Sequence, residues 1–185
     1  MGQPIIVPVI VTLTAVVIAA VIDIWKYKVH NLLTFPLLLS GVVYHGIVAG
    51  GAGVADSVLS ALFGMGVLII FYAMGGVGGG DVKLLAAIGA WLKLPLTFWV
   101  FVASSLAAGV YAVVVILYSG RTKETWTNLR IIGYRLLAVG RHLGAEDEIE
   151  TEIGRDDRRV RLIPYAAMMA VGMVSLLGVW YMLKP

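Results

Sequence analysis

There is no cysteine in these 185 residues, which excludes a disulfide framework, a thiolate zinc site and a cysteine nucleophile. Charge is scarce as well: 14% of the residues are Asp, Glu, Lys or Arg, against roughly 25% in an ordinary soluble domain. What charge there is lies together. Nine of the 14 Lys+Arg and eight of the 11 Asp+Glu fall within residues 119–161, leaving Asp23, Asp56 and Asp81 as the acids of the remaining chain. The net charge of +3 is small, and the basic residues border apolar spans. They are therefore read as membrane-orientation signals, with no nucleic-acid partner expected. A positive segment of the kind that opens a cleaved secretory signal is missing too, since Met1, Gly2 and Gln3 precede the first apolar run. That run is expected to remain in the mature protein.

Apolar residues dominate instead, at 60% of the chain with a mean hydropathy of +0.94. The expected fold is all-α: a polytopic membrane protein of about six transmembrane helices, one embedded domain over residues 1–185, with the lipid bilayer as its partner. The spans expected are 4–22, 32–48, 54–74, a short run at 81–92, 97–118 and 162–183. An uncharged glycine-rich turn at 49–53 separates the second and third, with Asp56 or Ser57 as N-cap of the third. The fourth ends before Pro95, where proline argues for a break. Residues 119–161 form the expected cytoplasmic loop. Its first part, 122–144, spaces Trp126, Leu129, Ile132, Leu136 and Leu137 among arginines as an interfacial amphipathic helix does. The second part, 146–161, is acidic and then basic. With Lys26, Lys28, Lys83 and this loop inside, the positive-inside rule puts both termini outside.

The stretch Gly75-Gly76-Val77-Gly78-Gly79-Gly80-Asp81 interrupts that pattern. Unpaired backbone in hydrocarbon costs several kcal/mol per group, so irregular chain is tolerated only where protein buries it or water borders it. An aspartate beside such a break is a functional-site hypothesis, and Asp23 at the end of the first span is its expected partner. Two carboxylates brought close do not both ionise easily. Such a pair hydrolyses peptides: the ionised member takes a proton from water and the protonated member polarises the scissile carbonyl. No metal or other cofactor is needed, and His30, His45 and His142 show no ligand spacing. Asp81 opens a helix, where the macrodipole favours a carboxylate, and Lys83 adds positive charge nearby. The glycines permit close backbone approach and positive φ, suited to holding an extended substrate strand.

Gly78-Gly79-Gly80-Asp81-Val82-Lys83 resembles the Gly-x-Gly-Asp-x-Lys signature of the type IV prepilin peptidases, intramembrane aspartyl proteases. Residues Asp23 to Asn31 are similar to that family's first motif, an aspartate followed seven residues later by Pro-Asn, with His30 in place of the proline. Ile163-Pro164-Tyr165, with Gly172 further on, resembles the family's last helix. The resemblance covers essentially the whole chain. It implies Asp23 and Asp81 as the catalytic pair, and Gly78, Gly79, Gly80, Lys83 and Asn31 as substrate-binding or site-shaping residues. The implied partner is a pilin-like precursor whose basic N-terminal leader is cut at the cytoplasmic face of the cell membrane. Longer members carry paired cysteines in an N-terminal region and methylate the new amino terminus. A chain that begins at its first span without cysteine resembles the short, peptidase-only form found with Flp/Tad-type pili.

Two other classes fit parts of the pattern. A small proton- or ion-coupled carrier also uses intramembrane acids and glycine-broken helices, but holds its acids near the midplane in paired discontinuous helices. A membrane scaffold would use the acidic-basic loop and leave the two aspartates unexplained. The topology is testable in a chain without native cysteines: a single cysteine placed at position 26 should be labelled from the cytoplasmic side, and one at position 51 from outside. The opposite pattern would overturn this orientation.

Overall fold

The computed structural model describes residues 6–26, 31–73, 77–119 and 165–182, and among these every element is α-helical. In chain order they are α1 (Ile6–Lys26), α2 (Asn31–Ala73), α3 (Gly79–Ser119) and α4 (Tyr165–Met182). Helices α1, α2 and α3 are long and apolar enough to cross a membrane, while α4 is a shorter apolar helix. The amphipathic segment expected at 122–144 and the acidic-basic run at 146–161 lie outside the described residues.

Neither long helix is continuous. α2 breaks at Gly50 (φ 62, ψ −148), a left-handed conformation that glycine adopts without a Cβ penalty. α3 breaks at Lys93 (φ 63, ψ 169), two residues before Pro95. Proline disfavours a helical conformation in the residue ahead of it, yet suits the first turn of the helix that follows. The resulting straight segments are 31–49, 51–73, 79–92 and 94–119. Helix resumes directly after Gly50, so Asp56 and Ser57 lie inside a helix and neither caps it, contrary to the expectation from sequence. Asp56 instead meets Lys93 at 3.4 Å, across the two breaks.

The chain forms two compact units, residues 1–109 with 162–185, and residues 110–161. Of the second, the described part is the end of α3, residues 110–119. The first is built around segment 79–92. At about 1.5 Å per residue that segment is only about 21 Å long, short of a hydrocarbon core of about 30 Å. Its other helices enclose it: from Asp81 to Leu92 every residue is buried except Lys83. A helix apolar all round belongs inside a structure.

Small residues make the enclosure possible. A Cβ on Gly89 would lie 2.3 Å from the Ser60 carbonyl oxygen, and one on Gly64 would lie 2.6 Å from that of Leu85. Segments 51–73 and 79–92 therefore pack backbone to backbone, in antiparallel order. The segment's C-terminal carbonyls, which a helix leaves unpaired, receive side-chain donors. Ser57 Oγ donates to the Ala90 carbonyl at 2.7 Å, and His45 Nε2 lies 2.9 Å from the Trp91 carbonyl. Since a carbonyl only accepts, that nitrogen carries the imidazole proton. Trp91 Nε1 in turn donates to the Leu37 carbonyl at 2.8 Å, and Tyr44 stacks on the Trp91 ring. α1 packs against α4, and Val16 and Ala19 of α1 and Ala166, Met169 and Met173 of α4 belong to the buried core. Outward faces are apolar, with Ile10, Val17, Leu39, Ile47, Leu59 and Ile70 exposed, as lipid contact requires.

The glycine seam gives a stability test. Gly89→Ala should destabilise by about 1–3 kcal/mol through overpacking. Gly66→Ala, whose Cβ meets nothing within 4 Å, should be neutral or stabilising by up to about 1 kcal/mol. Thermal unfolding in detergent, followed by tryptophan fluorescence, measures both.

Candidate active site

Asp23 lies in the last turn of α1 and Asp81 in the first turn of α3. The two carboxylates, each only 6% exposed, are close enough to repel one another. Different chemistry holds each in place. Around Asp81 the chain forms a helix start in which the Gly78 carbonyl accepts from the Asp81 and Val82 amides, at 3.0 and 3.4 Å. The Gly78 N–H donates back to Asp81 Oδ2 at 3.3 Å, so Asp81 stands at the N3 position and supplies the side-chain half of a capping box, with the Gly78 backbone carbonyl in place of the usual N-cap side chain. Gly79 and Gly80 open the helix itself, where glycine is a weaker helix former than alanine.

Asp23 has the less favourable position, because a helix C-terminus presents partial negative charge and repels a carboxylate. Compensation comes from α4. The backbone N–H of Ala166, second residue of that helix, is within reach of both carboxylates and favours their charged forms. First-turn amides have no intrahelical acceptor and form the positive end of the dipole. Two helix N-termini, those of α3 and α4, thus converge on the acid pair. One oxygen of each, Asp23 Oδ2 and Asp81 Oδ1, is buried and without a hydrogen-bond partner among the described residues.

The remaining expected site residues divide. Gly78 and Gly79 are at close quarters with side chains of this chain: a Cβ on Gly78 would stand 3.2 Å from Asp81 Oδ2, and one on Gly79 would stand 3.3 Å from the Tyr72 ring. They do not supply positive φ, which among the described glycines belongs to Gly50, and Gly79 and Gly80 are already helical. Lys83 does not turn to Asp81. Its Nζ donates to Asn31 Oδ1 at 2.9 Å and stands 5.6 Å from the centre of the Phe35 ring, tying the start of α2 to the start of α3. Tyr165, Ala166 and Ser105 were not anticipated. Tyr165 is buried, pairs its hydroxyl with Ser105 Oγ at 3.2 Å and lies within electrostatic range of Asp81. Its signal in the sequence was its place after Ile163-Pro164 at the head of the last span; Ser105 had none. Among the described residues, metal-ligating side chains nowhere gather in threes.

Comparison with known proteins adds an independent line. Residues 10–113 match the model of the type IV leader peptidase family. The prepilin leader peptidase/N-methyltransferase of Aeromonas salmonicida is 35% identical over 103 residues, 52% of this chain and 35% of that protein. Leader peptidase HopD of Escherichia coli is 33% identical over 135 residues, 66% of this chain and 84% of that protein. The Escherichia coli K12 prepilin leader peptidase/N-methyltransferase is 35% identical over 113 residues, 57% of this chain and 50% of that protein. The chain thus spans a third to a half of the peptidase/methyltransferase relatives it matches. No solved structure matches it.

The position of Asp23 yields a prediction. A buried carboxylate at a helix C-terminus, with one oxygen unpaired, is a stability cost, so Asp23→Asn should raise the thermal midpoint by about 2–4 °C, the equivalent of about 1 kcal/mol at this size. A fall of that size would mean the fold, not the chemistry, requires the acid.

Proposed function

The chain belongs to the type IV leader peptidase family, and from that premise we propose that it is an intramembrane aspartyl endopeptidase working through Asp23 and Asp81. The observation that carries this reading is the acid pair itself: two buried carboxylates from separate helices, each with one oxygen that has no hydrogen-bond partner among the described residues. Mutual repulsion favours the pair with a single negative charge. In that state the ionised carboxylate removes a proton from a water as its oxygen attacks the scissile carbonyl carbon. The protonated carboxyl hydrogen-bonds the carbonyl oxygen and stabilises the tetrahedral intermediate. Collapse of the intermediate breaks the C–N bond, the departing nitrogen takes a proton from the pair, and one negative charge remains.

The substrate proposed is a type IV pilin-like precursor, cut between its basic leader and its hydrophobic helix. The proposed face of reaction is the cytoplasmic side of the cell membrane, a reading supported by the positive-inside pattern of Lys26, Lys28 and Lys83. Six crossings, with residues 119–161 as a cytoplasmic loop, fit the helical segments and this orientation. The carrier reading fares worse. Its acids belong at paired discontinuities, and here the breaks at Gly50 and Lys93 lie away from Asp23 and Asp81.

Co-expression with a pilin-like precursor tests the proposal. The wild-type chain should shorten the precursor by its leader, read by mass, whereas Asp23→Asn and Asp81→Asn should each reduce cleavage by about 10²–10⁴-fold without loss of folded protein. Full activity in either variant would refute the two-acid mechanism.

A further inference from the structure

The first turn of α4 is the meeting point of the site, and its anchoring is specific. Asp23 comes from α1 and Asp81 from α3, so nothing in either helix alone sets their separation. α4 touches both neighbours. It packs along α1, and it approaches segment 94–119 so closely that a Cβ on Gly172 would lie 2.6 Å from the Ser104 amide nitrogen. The amide offered to the carboxylates belongs to Ala166, a fully buried residue, and its direction is fixed only if the terminal turn does not fray. Helix ends ordinarily fray. Here the residue that opens the turn, Tyr165, is buried to 6% exposure, and its hydroxyl is held by Ser105 Oγ at 3.2 Å. A buried phenol needs such a partner, and this one belongs to segment 94–119.

We propose that the Tyr165–Ser105 hydrogen bond is a clamp that fixes the first turn of α4 so that the Ala166 N–H is shared between Asp23 and Asp81, which makes Tyr165 a positioning residue of the acid pair. The amide bridges two carboxylates that otherwise push apart, and the clamp keeps it there. Tyr165 acts through Ala166 and does not itself handle the substrate. This inference deepens the proposed function and rests on it only where cleavage is the readout.

Two measurements test it on the full chain in detergent micelles. In the first, alanines are ¹⁵N-labelled and the Ala166 amide resonance is identified by its disappearance in Ala166→Gly. That resonance should move on Asp81→Asn, because the acid it faces loses its charge. In Tyr165→Phe and in Ser105→Ala the same substitution should move it less than half as far, and the double clamp variant should match either single one. A residue needed only for packing would lower stability and leave this response intact. In the second, Tyr165→Phe should lower kcat for precursor cleavage by roughly three- to tenfold, the range of one net hydrogen bond, with KM unchanged. An Ala166 resonance that responds fully in Tyr165→Phe would overturn the clamp, whatever happens to cleavage. If the wild type cuts no precursor, the peptidase reading fails, while the resonance measurement still decides whether the clamp exists.

Discussion

The structure depends on burying one short helix, residues 79–92, without leaving its backbone ends unpaid in hydrogen bonds. A helix this short exposes first-turn amides and last-turn carbonyls at depths where water is scarce. At its C-terminal end Ser57 and His45 supply the donors, and at its N-terminal end Gly78 and Asp81 close a reciprocal pair. Close packing against 51–73 follows from the same need, because side-chain donors on α2 reach those carbonyls only if the two backbones approach. Gly64 and Gly89 permit that approach. The acid of the site is therefore also a structural cap, and its position is set by the architecture that buries the helix.

Legibility in the sequence followed the range of the interactions involved. The apolar runs, the glycine-rich break and the isolation of Asp23, Asp56 and Asp81 from the charged stretch 119–161 are local or compositional, and the all-α membrane character can be read from them directly. Asp23 and Asp81 stand out because a charge is costly in an otherwise apolar stretch. The hydrogen bond between Asn31 and Lys83 joins two motifs singled out separately, and no spacing argument connects residues so far apart. Ala166 contributes only its backbone, which every residue has, so its identity carries no trace of its role. Ser105 resembles any other hydroxyl in a span.

Some expectations failed for reasons that are themselves informative. The break ahead of Pro95 falls where the proline points to it, but the helix after Gly50 resumes at once and leaves Asp56 and Ser57, expected as N-caps, inside it. A single glycine with positive φ turned the chain where five residues had been allotted. Positive φ is expected at the glycines near Asp81; among the described residues it occurs at Gly50 and Lys93, and not at Gly78, Gly79 or Gly80. The glycines beside the acid serve proximity, and the strain is carried at the other end of the buried helix, where Asp56 and Lys93 meet.

Because 79–92 is wrapped by protein from Asp81 to Leu92 apart from Lys83, lipid tails have almost no surface on it to act upon. Membranes differ in thickness by several ångströms, and helices in contact with lipid answer by tilting or by drawing the bilayer to their own length, at fractions of a kcal/mol per ångström. Those forces fall on the outer helices. The helix that carries Asp81 is shorter than any bilayer and has no mismatch of its own to relieve. Its register along the membrane normal is inherited from its protein neighbours, which insulates one half of the acid pair from the composition of the membrane around it.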